Sequence, residues 1–112
     1  MKSWITQLRK GLLEYCILNV LRHQEAYGYE VVTRLKSIDE LIVTESTIYP
    51  ILSRLKRDGH LRVRSEPSPN GPPRRYFSLT SIGKQHLQSM DSYWDALHLS
   101  ITQLRTNSMH NS

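Results

Sequence analysis

The segment TIYPILSRLKRDGHLRVR, residues 47–64, changes its hydrophobic period in the middle, and few folds accommodate that change. Ile48, Ile51, Leu52 and Leu55 fall at i, i+3, i+4 and i+7, the spacing of one buried helix face. Asp58-Gly59 then stops the helix, because glycine adopts the left-handed backbone that closes a helix without a Cβ clash. Beyond it Leu61 and Val63 alternate with Arg62 and Arg64, the period of a half-buried strand. Arg54, Lys56 and Arg57 lie off the apolar stripe, so the segment predicts a helix with a cationic outer face running at once into a cationic strand.

Upstream, Leu8, Leu12, Cys16 and Val20, joined by Leu13, Ile17 and Leu21, predict a first helix over about Ile5 to His23. After a break near Gln24 to Tyr27, Val31, Val32 and Leu35 place a second helix on GYEVVTRLK. The third helix is read as starting at Thr44, which sets Pro50 in its second turn with one hydrogen bond lost and a slight bend; a start at Ser46 or Thr47 is the alternative. Downstream, HLRVRSE and RRYFSLT alternate as strands. PSPNGPP between them reads as a hairpin loop with Asn70-Gly71 at its tip, too rich in proline to extend either strand. Thr80 is a candidate N-cap for a fourth helix reaching about Leu104.

Three helices, a basic hairpin and a fourth helix make up a mainly α winged helix-turn-helix with a C-terminal helix. In that arrangement the third helix enters the major groove of a duplex and the hairpin follows the backbone or minor groove. Arg and Lys neutralise phosphates and release counterions, and small hydroxyls approach the backbone closely. Thr47, Ser53, Arg54, Lys56 and Arg57 are therefore candidate DNA contacts. The expected organisation is a winged-helix domain over 1–79, a dimerisation helix over 80–105 and a disordered tail over 106–112.

The segments AYGYEVVTRL, ESTIYPILSRLKRDGHL and GPPRRYFSLTSIGKQHL, in that order, resemble the PadR family of bacterial transcriptional regulators, over about Leu12 to Leu87. The resemblance implies a dimeric winged-helix repressor held together by its C-terminal helix. By motif it adds Ser46, Thr47 and Tyr49 of the third helix, and Gly71, Arg74 and Arg75 of the wing, to the positions near DNA; Tyr76 of the same motif is expected to wedge under the wing. With one helix after the wing, the chain is similar to the short branch of the family, which puts the effectors of longer members in doubt.

Spacing argues independently for a dimer. Leu87, Met90, Trp94, Leu97, Ile101 and Leu104 step alternately by three and four, the seam of a coiled coil; packing on the same chain's first helix is the alternative. DNA-reading helices work in pairs about one duplex turn, roughly 34 Å, apart, so the partner expected is a palindromic operator bound by a homodimer. Trp94, with Tyr93 beside it and His98 one turn on, is a candidate wall for a small flat aromatic effector, as the multidrug-sensing members of the short branch suggest, and Trp4 is a candidate contributor. Filling of the interface by paired indoles is the competing reading.

Other chemistry finds little support. The five histidines, His23, His60, His86, His98 and His110, show no ligand spacing, and the lone Cys16 has no partner for zinc or a disulfide. No metal or cofactor is expected, Cys16 reads as a buried inert thiol, and the absence of a phosphate-cradling glycine loop or nucleophile elbow argues against an enzyme. With 112 residues, 38% of them hydrophobic, one domain is expected. A net charge of +5 suits a polyanion without requiring one. No apolar run approaches the roughly 20 residues of a membrane span, so a soluble, cytoplasmic protein is expected. The rival function is a winged-helix module that uses the same basic face for protein contacts.

Overall fold

Helix α1 spans Lys2–Val20, and its apolar residues divide between the core and the surface. The computed structural model describes residues 2–107. Leu13, Ile17 and Leu18 point into the core, as does Leu21 just beyond the helix, whereas Leu8 is exposed and Leu12, Cys16 and Val20 are half-buried. The helix ends three residues short of His23. There the Arg22 guanidinium donates to the Asn19 side chain, and the Asn19 amide donates to the Tyr15 carbonyl, so side chains take over from the helical ladder.

The break after α1 contains an element with no signature in the sequence. Ala26–Tyr27 form a short strand β1, which pairs antiparallel with the last strand of the wing, Ala26 opposite Phe77 and Tyr27 opposite Tyr76. A two-residue strand has no period to read. Helix α2, Gly28–Lys36, follows at once and buries Val31, Val32 and Leu35. Helix α3, Glu45–Arg57, buries Ile48, Leu52 and Leu55. Its N-cap is Thr44, as expected, with Pro50 in the second turn. The Thr44 hydroxyl does not cap the main chain; it lies 2.9 Å from Ser46 Oγ and 3.1 Å from Thr47 Oγ1.

Gly59 ends α3 at φ 85°, with the His60 N–H donating to the Leu55 carbonyl and the Gly59 N–H to the Lys56 carbonyl. This is the paired closing pattern that a left-handed residue permits. Strands β2, Leu61–Ser68, and β3, Gly71–Leu79, complete a three-stranded sheet in the order β1-β3-β2. The prolines do not end the strands. The turn is only Pro69-Asn70, Ser68 pairs with Gly71, and the ladder is irregular between Glu66 and Ser68, where Pro72 and Pro73 face the single Pro67. Proline is tolerated where a bulge already removes ladder bonds.

Thr80 joins the wing to helix α4, Ser81–Asn107. Its hydroxyl accepts from the Gly83 N–H at 3.0 Å and donates to the Gly59 carbonyl at 2.6 Å, so one side chain caps α4 and fastens it to the end of α3. Gly83 lies against the same corner, where a Cβ would stand 2.1 Å from the His60 carbonyl oxygen. Helix α4 continues past Leu104 to Asn107; of the tail expected to be disordered, Thr106 and Asn107 are helical and residues 108–112 lie outside the described residues.

Leu87, read as the first residue of a dimer seam, is 3% exposed within the core of its own chain, and Met90 packs against that core. The four positions beyond, Trp94, Leu97, Ile101 and Leu104, stay largely open to solvent. The stripe is thus buried at its start and exposed beyond it. Its first turn covers the domain, and the remainder leaves it.

Candidate nucleic-acid interface

Opposite the buried residues of α3 stand Ser46, Tyr49, Pro50, Ser53, Lys56 and Arg57, all exposed and spaced by three and four along one face. Thr47 is exposed on the flank of this face. Lys56 and Arg57 form no ion pair among the described residues. Arg54 departs from expectation. It points toward α1, where its guanidinium donates to Glu14 at 2.5 Å, and it lies 3.7 Å from Asp58 one turn on. A guanidinium shared between two carboxylates is less available to a phosphate than the unpaired Lys56 and Arg57.

The ring of Tyr49 lies over the start of α2. A Cβ on Gly28 would sit 2.7 Å from Tyr49 Cε1, so the glycine of Tyr27-Gly28-Tyr29 is the space that the tyrosine of Thr47-Ile48-Tyr49-Pro50 occupies. Two motifs that look unrelated in sequence are halves of one contact. Burial, followed by the nearby charge of Glu45, raises the Tyr49 hydroxyl above its ordinary value. Between this ring, Tyr29, Ser53 and the wing residues Pro72 and Arg75 runs a groove of about 360 Å³, open along the outer face of α3.

The wing places its cations over aromatic rings. Arg74 stands 4.7 Å above the Tyr27 ring, and Arg75 5.8 Å from the Phe77 ring. Tyr27 and Tyr76 meet edge to face at 5.6 Å, and Tyr76, expected to wedge under the wing as core, is half-buried and outside the core. Arg64 takes a different role. It lies over Tyr76 and forms ion pairs with Glu25 at 2.6 Å and Glu66 at 2.7 Å, which ties the hairpin to the loop after α1. Gly71 begins β3 with open space where a Cβ would be and no left-handed φ, so no local geometry demands glycine there.

A second region lies at the junction of α1 and α4. Asp91 accepts from the Tyr15 hydroxyl at 2.5 Å and from both terminal nitrogens of Arg22 at 2.7 and 2.8 Å. The guanidinium of Arg22, then the Tyr15 hydroxyl, hold the Asp91 carboxyl down at about 2. Just beyond, the Trp94 indole is tilted against Tyr15 at 6.3 Å and stacked on His98 at 5.9 Å. Trp94 and Tyr93 line an apolar groove of about 540 Å³ with Leu8, Leu12, Tyr15 and Leu97; His98 and Trp4 do not line it.

Cys16, expected to be buried, is half-buried, and burial raises its thiol above the ordinary value. His60 and His86, distant in sequence, stack at 4.4 Å. Glu14, Glu25 and Asp91 carry no functional signal in the sequence. Each acts through a partner on another element, and no local pattern marks them. No helix among the described residues is long and apolar enough to cross a membrane.

This geometry matches a known group of proteins. The family model described as the transcriptional regulator PadR-like family covers residues 17–89. The fold is shared with a PadR-like transcription factor from Bacteroides fragilis, 39% identical over 88% of this chain and 95% of that one, with a TM-score of 0.76. It is also shared with a PadR-like transcriptional regulator from Bacillus cereus, 32% identical over 89% of this chain and 97% of that one, TM-score 0.80. PadR of Bacillus subtilis, solved in complex with operator DNA, is 30% identical over 70% of this chain and 46% of that one, TM-score 0.65. With the winged-helix order of elements and the matched span across α1 to α4, this chain belongs to the PadR-like family of transcriptional regulators, which are not enzymes.

Proposed function

We propose that the protein is a homodimeric repressor that binds a palindromic operator through α3 and the wing, and that a flat apolar effector at Trp94 relieves binding. The observation that carries this reading is the continuity of two surfaces. Tyr49 and Ser53, on the exposed stripe of α3 that also carries Ser46, Lys56 and Arg57, line the same groove as Arg74 and Arg75 of the wing. Base-capable hydroxyls thus share one face with unpaired cations, the combination that duplex recognition needs. A site on DNA also implies a cytoplasmic location. The exposed Leu97, Ile101 and Leu104 support a second copy as the partner of α4, and Trp94 with Tyr93 supplies aromatic walls with few polar groups, suited to broad ligand preference.

The test is binding to duplexes selected from a random pool, followed over a range of salt. Each neutralised phosphate adds about 0.9 to the slope of log affinity against log salt, so Arg57→Ala and Arg75→Ala should each flatten it by roughly that amount. Arg54→Ala should flatten it less. The absence of any duplex binding at low salt would favour the protein-interaction module instead. Titration of the Trp4→Phe variant with planar aromatic cations should quench Trp94; no quenching and no change in operator affinity would make the indole an interface plug.

A further inference from the structure

The carboxylate of Glu14 has a different partner on each oxygen. Oε1 accepts from Arg54 Nη2 at 2.5 Å, and Oε2 lies 3.0 Å from His86 Nε2. Arg54 belongs to α3 and His86 to α4, so among the described residues Glu14 is the side chain of α1 hydrogen-bonded to both. The two helices have little direct packing on each other: α3 lies on α1, α2 and β2, while α4 lies on α1 and β3. Two routes join them: a direct junction, where Thr80 bonds to the Gly59 carbonyl and His86 stacks on His60, and a second through Glu14 of α1.

The tie is partly sheltered, with the Glu14 side chain 24% exposed and His86 34%. Burial alone would raise the Glu14 carboxyl, but hydrogen bonds from His86 and Arg54 outweigh it and hold the group below its ordinary range. The far sides of both partners are also held. The Arg54 guanidinium reaches Asp58, and the His86 ring is stacked on His60, three residues past the end of α3. On α1 the next residue is Tyr15, whose ring meets Trp94 and whose hydroxyl donates to Asp91. A displacement of α4 at the Trp94 groove thus acts on the immediate neighbour of Glu14.

We propose that Glu14 is a positioning residue for operator binding, coupling the C-terminal helix to the recognition helix through His86 on one oxygen and Arg54 on the other. The functional consequence rests on the operator-binding reading above; the coupling itself can be measured without DNA. His86→Phe keeps a ring on His60 and removes the donor to Glu14. In an amide NMR spectrum it should shift the resonances of residues 53–58 in the native background and leave them in place when Glu14→Gln is already present. Operator affinity should fall about 2- to 30-fold in Glu14→Gln, with no further loss in the double variant. Shifts in α3 of equal size in both backgrounds, or additive losses of affinity, would overturn the coupling. If no duplex is bound, the operator reading fails and the amide comparison alone decides the coupling. Should Glu14→Gln fold poorly, Arg54→Gln interrupts the same tie from the other side and gives the same comparison.

Discussion

Replacing Gly83 by alanine tests how α4 is seated on the domain. The new Cβ would lie 2.1 Å from the His60 carbonyl oxygen and 3.0 Å from the His60 carbonyl carbon. A relaxed carbon-to-oxygen contact is about 3.3 Å, so backbone must move by roughly 1 Å, and no flexible side chain stands in between to absorb it. The displaced segment carries the Thr80 cap and its bond to the Gly59 carbonyl, and it holds Leu87 in the core. Overpacking costs about 1 to 3 kcal/mol, and a lost cap about 1 kcal/mol more. The greater helix propensity of alanine returns at most about 1 kcal/mol. A net loss of about 1 to 3 kcal/mol should lower the melting temperature of a chain this size by roughly 4 to 15 °C. Thermal denaturation followed by circular dichroism measures it. An alanine variant that melts within a degree or two of the native protein would refute the requirement for glycine at this close approach of two backbones.

Gly28→Ala makes the opposite prediction from a similar contact: the obstacle is the swinging ring of Tyr49, so stability should change by under about 1 kcal/mol while operator affinity falls, and melting curves beside duplex titrations will show which quantity moves. Leu97→Asp should give a folded monomer by sedimentation, because the side chain is 40% exposed in its own chain, whereas Leu87→Asp should fail to fold, because it buries an unpaired carboxylate in the core. The depressed Asp91 carboxyl, about 2 against an ordinary 3.8, contributes stability that is present above pH 4 and is lost as pH falls through 2. Acid titration of Asp91→Asn should therefore show a deficit at pH 5 that closes toward pH 2, and a deficit that does not change with pH would contradict the role of Arg22 and Tyr15.

Local physics was legible without a structure. The switch of period at Gly59, the Thr44 and Thr80 boundaries and the apolar spacing of α2 and α3 each depend on residues within one turn or one hairpin, so the winged order of elements could be read from the chain. The motif resemblance named the family on the same residues. What the sequence could not assign was the direction in which a polar side chain turns. Arg54 and Arg57 look alike as letters, yet one faces α1 and is held by Glu14 while the other faces outward. Leu87 and Leu97 share one heptad stripe, yet the docking of α4 buries the first and releases the second. Strand β1 exists only because β3 offers it an edge. Gly28 and Gly83 acquire their meaning from Tyr49 and from the His60 carbonyl, groups brought close by packing of separate elements. Period, caps and stops are short-range and written along the chain. Partner choice is long-range, and it is decided only when the helices pack and each charge must find a counter-charge or water.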